Sequence, residues 1–382
     1  MKQKFNDNFI ADMASSYLFF CYMISVLANY FMDNKFIFIF SSLIGLAALL
    51  MEFMNKSKDN SYIYLFVGIT LLFLLASALI VNRKEGVFVL VINIMANSGI
   101  ALLLIRRKIS KVVGYIPFYS LVLYFLWRIF TYSEIIGNDY SSRNSISIVV
   151  IFSCIALYVV SITNDKKIDI FPALIALIIS IWAVGRSGII ASSVMLVGLL
   201  AFMGHKNKKY YFLIIVVSIF GYLIVDQVFA SFVNYIIPDN AINKFATDGL
   251  ETGRDQIWGH YFNNLNLYTI VFGSDVRADS YMQDWYYNYH NSYIRLHSFV
   301  GLFSFVYIVL ILLSSTYLYR RNRILFILFA AALIRMSTDT SNFFTQYDFV
   351  PFYFIFIYLA NGKNNNKIIN IVLPFKRKSI CT

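Results

Sequence analysis

The chain has 382 residues, of which 59% are hydrophobic, 18% aromatic and only 14% charged. Soluble domains carry roughly 45–50% apolar and about 25% charged residues, so the composition excludes a soluble globular protein and predicts an integral membrane protein. The net charge of +12 would suit a nucleic-acid partner only if the cations formed one patch. They are instead dispersed over short loops, and no nucleic-acid partner is expected.

Crossing about 30 Å of hydrocarbon takes roughly 20 apolar residues in a helix. Runs of that kind lie near 13–31, 35–53, 61–81, 86–105, 114–131, 146–163, 168–184, 188–203, 210–230, 291–317, 324–340 and 345–360. They are uniformly apolar and lack the alternation of barrel strands, so an all-α protein of about 12 transmembrane helices is predicted. The first run is longer than a signal-peptide core and has no small-residue cleavage site, so no removable leader is expected. If the loops fall on alternate sides, one side collects 21 of the 32 Lys and Arg residues but only 6 of the 20 acids. The positive-inside rule makes that side cytoplasmic and places both termini there.

Four segments follow from this reading: a bundle of about nine helices over 1–230, a long external loop over 231–290, C-terminal spans over 291–360, and a basic cytoplasmic tail over 361–382. The loop is the one break in a pattern of short connections, and loops of that length are commonly functional. Within it, "TGRDQIWGHYFNNL" (252–265) puts Arg254, Trp258, Tyr261 and Leu265 on one helical face and leaves His260 off it. The run "LYTIVFGSD" (267–275) reads as a short buried or interfacial segment ended by a glycine turn. The two halves of the chain are unlike and only 5 prolines occur, so neither the symmetry nor the broken helices of many transporters are expected.

Arginines on the external side are not explained by topology. Arg186 lies in "GRSG", a tight hairpin where a guanidinium beside a helix start makes a good anion site; a snorkelling anchor is the other reading. Arg254 shares its face with Trp258, or pairs with Glu251 or Asp255 at the surface. Arg335 lies inside a span about a turn from Asp339, with Asp226 as a second possible partner; an intramembrane cation marks either a site or a helix lock. Arg277 and Arg295 are further external cations. "YNYHNSYIRLHSFVGLFSF" (287–305) holds two of the 4 histidines in the chain, His290 at the outer cap of a span and His297 seven residues deeper. Imidazole is the side chain suited to take a proton near neutral pH. The acids of 275–284 do not form a metal-ligand spacing, and Cys21, Cys154 and Cys381 are far apart, so no metal, cofactor or disulfide is expected.

The stretch "HNSYIRLHSFVGLFSFVYIVLIL" resembles the HN-S-Y helix of bacterial O-antigen polymerases of the Wzy type and of the related O-antigen ligases. "GRSG" before the long loop, "TGRDQIW" early in it and "IVFGSD" between it and the histidine follow the same order. The resemblance implies a glycosyltransferase C-like fold in the bacterial inner membrane, with a periplasmic loop. It implies undecaprenyl-diphosphate-linked oligosaccharide as donor and acceptor, the growing glycan passing to the non-reducing end of a new lipid-linked repeat. It also implies metal-independent chemistry and a chain-length regulator as partner. Arg186 and Arg254 match the hairpin and loop arginines, and His290 the histidine proposed as base. Arg277, Arg295 and Arg335 are additional candidates for the diphosphate, and Trp258, Tyr281, Trp285 and Tyr293 for stacking on sugars. Metal-dependent superfamily members carry paired acids in the first external loop, where this chain has a lone Asp33 in "MDNK". A ligase, a flippase of lipid-linked oligosaccharide and a non-catalytic scaffold are the competing readings.

Overall fold

The computed structural model describes residues 2–54, 61–83, 86–131, 143–164, 168–183, 185–204 and 254–361. Among the described residues eight helices precede the long loop: α1 (Lys2–Met32), α2 (Lys35–Met54), α3 (Ser61–Ile80), α4 (Val87–Arg106), α5 (Lys111–Thr131), α6 (Arg143–Thr163), α7 (Phe171–Trp182) and α8 (Arg186–Gly204). The described part of the loop carries α9 (Arg254–Asn263) and α10 (Leu267–Phe272), and the chain continues through α11 (Ser292–Val300), α12 (Ser304–Arg321), α13 (Arg323–Thr338) and α14 (Phe349–Asn361). Three single 3-10 turns sit at Val276–Ala278, Tyr281–Gln283 and Gly301–Phe303, and no strand occurs among the described residues.

Among the described residues seven stretches are long and apolar enough to cross a bilayer: Phe9–Met32, Lys35–Met54, Ser61–Ile80, Val87–Arg106, Asn144–Thr163, Arg186–Gly204 and Ser292–Arg321. Large apolar side chains such as Phe36, Leu43, Leu79, Phe88 and Leu312 stand exposed along them. A soluble monomer rarely exposes so much apolar surface, and the chain is a multi-pass α-helical membrane protein. The expected runs at 114–131, 168–184, 324–340 and 345–360 are also helical. Three of these are short, however, at 12, 16 and 13 residues for α7, α13 and α14. The run at 210–230 lies outside the described residues, as does the expected pairing of Arg335 with Asp226.

Three expected spans change shape. The run 291–317 is not one helix. It breaks at Gly301, whose φ of +53° no L side chain adopts easily. The runs 324–340 and 345–360 are shortened because 339–348 leaves the helix: Asp339 is extended, and Phe343 and Phe344 have positive φ. The Asp348 carboxylate holds this link by accepting from Phe344 N at 2.5 Å and Thr345 N at 3.2 Å.

Asparagine starts four of the described helices. Asn34, Asn266, Asn291 and Asn322 each accept, through the side chain, free N–H groups in the first turns of α2, α10, α11 and α13. The core forms around α6, almost wholly buried, against which α5, α7, α8, α13 and α14 pack. At one end Glu52 pairs with Arg107 (2.7 Å) and Arg106 (4.0 Å). The opposite end carries the turn after α3, the α7–α8 hairpin, the 339–348 link and the long loop.

α2 packs on α4 with backbones in close approach. A Cβ at Gly45 would stand 2.6 Å from that of Ala96, and one at Gly99 would overlap the Gly45 carbonyl. Small residues let helix backbones approach in a membrane, where dispersion rather than the hydrophobic effect joins them. Gly99→Val should therefore cost about 1–3 kcal/mol through overpacking, measured as a lower unfolding midpoint in detergent; an unchanged midpoint would contradict this packing.

Candidate functional site

The loop docks on the bundle through its own small core. Ile257 and Tyr261 of α9 pack with Val276, Met282, Tyr289 and Ile294, and Trp258, Leu265, Tyr281 and Trp285 close around them. This is the face expected from the spacing of Trp258, Tyr261 and Leu265. The Trp258 indole N–H donates to Tyr289 O at 3.0 Å. Off that face, His260 meets Asp279 at 2.8 Å and stacks on Tyr281.

Two devices bolt the loop down. Burial pushes the Tyr261 phenol well above its usual range, so it stays a donor; it lies 2.6 Å from His297 Nδ1. His297 Nε2 faces the Ile270 carbonyl at 3.2 Å, which can only accept, so Nε2 carries the proton and Nδ1 receives the tyrosine hydrogen. His297 therefore clamps loop to helix. The second device is backbone on backbone. Gly273 (φ +82°) lies on the Ser298 carbonyl and Gly301 on the Val271 carbonyl, both too close for a Cβ. Arg83, just past α3, joins all three parts: it donates to Ser298 O (2.7 Å) and Ser274 O (3.3 Å) and covers the Phe299 ring at 4.3 Å. Nothing in the sequence marked Arg83 except its external position in "VNRKEG".

The HN-S motif becomes intelligible residue by residue. Asn291 caps α11, its side-chain oxygen accepting from Tyr293 N at 2.9 Å and Ile294 N at 3.2 Å. Ser292 donates to Asp339 O at 2.7 Å and accepts from Asn342 N at 3.1 Å. Asn288 accepts from His290 N (2.8 Å) and from the Thr340 hydroxyl (2.7 Å). These bonds lock the cap of α11 to the 339–342 segment. His290 has φ of +50°, a conformation that costs a non-glycine residue about 1–3 kcal/mol and persists only where its surroundings hold it. The strain turns its ring toward Asp339, with Nδ1 3.7 Å from Oδ1.

Asp339 faces a cation on its other side too. Arg335 approaches Asp339 Oδ2 at 3.3 Å and donates to Ser187 Oγ at 2.9 Å and Asn144 O at 2.8 Å. Its side chain is fully buried, and its Nε has no partner among the described residues. Arg254, at the start of α9, lies within electrostatic reach of both Asp339 and Arg186, the first residue of α8, and acts in turn on Arg335. Burial, reinforced by the Arg186 charge, lowers the affinity of Arg254 for its proton, and Asp339 only partly opposes this. Arg335 and Arg254 thus both act on one carboxylate, and Arg186 lies within reach of Arg254. Among the described residues this cluster has more cations than carboxylates and is partly dehydrated, so an anion entering it would gain attraction.

The structure brings together Arg186, Arg254, His290 and Arg335, which come from four separate segments. It does not bring in Arg277, which stands exposed on its 3-10 turn, or Arg295, which lies over Phe299 at 5.4 Å and acts on Asp348. Trp258, Tyr281 and Trp285 belong to the core of the loop, and Tyr293 packs against Phe343 with ring centroids 6.1 Å apart. The exposed rings in the described part of the loop are Phe262, Tyr268, Tyr286 and Tyr287, the last two at positive φ. Among the described residues no group of three or more His, Cys, Asp or Glu side chains gathers as metal ligands would.

Removing the carboxylate alone would strand Arg335 in the interior. Asp339→Leu should cost about 3–5 kcal/mol, and the double variant Arg335→Met/Asp339→Leu should be more stable than Asp339→Leu. Thermal unfolding in detergent measures both; a double variant less stable than the single would contradict the pairing. No protein-family model, curated protein or solved structure matches the chain.

Proposed function

We propose that the protein is a glycosyltransferase of the Wzy type. It polymerises undecaprenyl-diphosphate-linked oligosaccharide repeats at the periplasmic face of the bacterial inner membrane. The observation that carries this reading is the convergence of Arg186, Arg254, His290 and Arg335 around Asp339 at the loop end of the bundle. The opposite end holds Glu52 with Arg106 and Arg107, on the side that the positive-inside rule makes cytoplasmic.

The chemistry asks for two things. A diphosphate leaving group gains charge as its bond to the sugar breaks, and fixed guanidinium groups in a dehydrated site stabilise that charge without having to reorganise. Arg186 and Arg254 supply it directly, while Arg335 is largely committed to Asp339, Ser187 and Asn144 and positions the others. The acceptor hydroxyl needs a base. Asp339 beside His290 Nδ1 favours a proton on that nitrogen and leaves Nε2 to receive the hydroxyl proton, and the carboxylate then steadies the imidazolium. In the step itself the acceptor oxygen bonds to the anomeric carbon and its proton passes to Nε2. The bond from that carbon to the diphosphate oxygen breaks, and the lipid diphosphate leaves with the electron pair. A chain-length regulator is the protein partner this activity would need.

Arg186→Ala, Arg254→Ala and His290→Ala should each lower long-chain glycan about 10²-fold or more while the protein remains in the membrane. Gel ladders of surface glycan measure this, and normal ladders from all three variants would sink the proposal. A deletion strain separates the polymerase from the ligase that shares its chemistry. A single repeat on the lipid core marks a polymerase, and long chains left on undecaprenyl diphosphate mark a ligase.

A further inference from the structure

A cavity of about 380 Å³ opens between α1, the start of α2, the start of α6 and the 339–348 link. Its size falls within the range of small-ligand pockets, roughly 300–1,000 Å³, and its lining is unlike the lipid-facing surface. Asn29, Asp33, Ser145 and Gln346 bring amide, carboxylate and hydroxyl groups, and Tyr30 and Tyr347 bring rings. Two of the polar groups are pre-set: the Asn29 amide donates to Gln346 Oε1 at 3.0 Å, and Gln346 Nε2 donates to Ser41 Oγ at 2.5 Å. The Tyr347 hydroxyl is buried and has no partner among the described residues. That hydroxyl is closed off from the cavity, and Tyr347 presents its part-exposed ring there.

The cavity adjoins the cationic cluster. Asn144 offers its carbonyl to Arg335, and the next residue, Ser145, lines the cavity; consecutive Cα atoms are about 3.8 Å apart. The 339–348 link makes the same connection, with Asp339 in the cluster and Phe344–Tyr347 along the cavity wall. Amide groups, a carboxylate and aromatic rings without a cation are the chemistry that recognises a neutral, hydroxyl-rich ring. An anionic group belongs next door, and an isoprenoid tail would leave these polar groups unmet.

We propose that this cavity is a saccharide subsite. It holds a sugar ring through Asn29, Asp33, Gln346 and Tyr347 while the cluster holds the charged part of a lipid-linked substrate. Its place in catalysis rests on the transferase reading, but its preference for sugar rests on its own lining. The test uses the full chain in lipid nanodiscs, which carry no sugar head group. The probes are the methyl glycosides of glucose, galactose, N-acetylglucosamine, N-acetylgalactosamine and rhamnose, and binding is read by saturation-transfer NMR.

At least one glycoside should bind. Tyr347→Ala, which removes the ring from the cavity wall, should weaken it about tenfold or more, the loss of one stacking contact of about 1.4 kcal/mol. Asp33→Asn, a change at the exposed rim, should weaken it as well, and Arg320→Ala, at the exposed C-terminal end of α12, should leave it unchanged. Three results would overturn the proposal: no glycoside binding, binding indifferent to both cavity variants, or binding lost in Arg320→Ala. If glycan ladders are normal in the cluster variants but glycoside binding follows Tyr347 and Asp33, the transferase reading fails and the subsite stands.

Discussion

The Asp339 carboxylate is the point on which the loop end of the molecule depends. Arg335 is a full cation in the interior of a membrane protein, and an unpaired charge at such depth is expensive. Asp339 lies beside its guanidinium at 3.3 Å, and Ser187 and Asn144 accept from it. Those three partners come from the 339–348 link, α8 and α6. The interaction that makes the cation tolerable therefore also sets α6, α8 and α13 against one another at that end. The backbone carbonyl of Asp339 receives Ser292 and its carboxylate faces His290, so the cap of α11 is placed by the same residue.

This arrangement links electrostatics to position. Arg186 begins α8 directly before Ser187, the residue that binds Arg335. Arg254 begins α9, which is held by Tyr261 on His297 and Trp258 on Tyr289. Arg186 and Arg254 stand in the first turn of a helix and Arg335 in the last turn of α13, and each helix is seated by other contacts, so the three charges are held near one another by packing rather than by mutual attraction. Such a site is organised before any anion arrives, and preorganisation is what makes fixed donors effective at a developing charge.

Much of the site was legible in the sequence because membrane topology makes external arginines conspicuous. Arg186, Arg254 and His290 stood out by side and by neighbours, and α9 and the glycine-ended run after it were readable from periodicity. Asp339 was visible only as a possible partner of Arg335, because its other roles run through a backbone carbonyl and a histidine 49 residues away in the chain. Arg83 was not legible, since its partners are carbonyls of a loop and a helix distant in sequence. The break at Gly301 was hidden by an unbroken apolar run, in which nothing but a single glycine marks the change of direction. The aromatic residues were misleading in a different way. Trp258, Tyr281 and Trp285 look like a sugar platform in one dimension, but a loop of this length first needs apolar area for a core of its own.

The interlocked Gly273 and Gly301 bear on how this protein can diversify. Both contacts are made by main-chain atoms, so they are indifferent to side-chain identity on the facing carbonyls and demanding only at the two glycines. They close the intervening chain much as a staple closes a ring. Lengthening a closed flexible segment costs little, about 0.6 kcal/mol for each doubling. The stretch around the exposed Tyr286 and Tyr287 can thus gain, lose or exchange residues while His290 and the entry to α12 keep their places. Variation in what the outer surface meets is in this way separated from the geometry of the charged cluster beneath it.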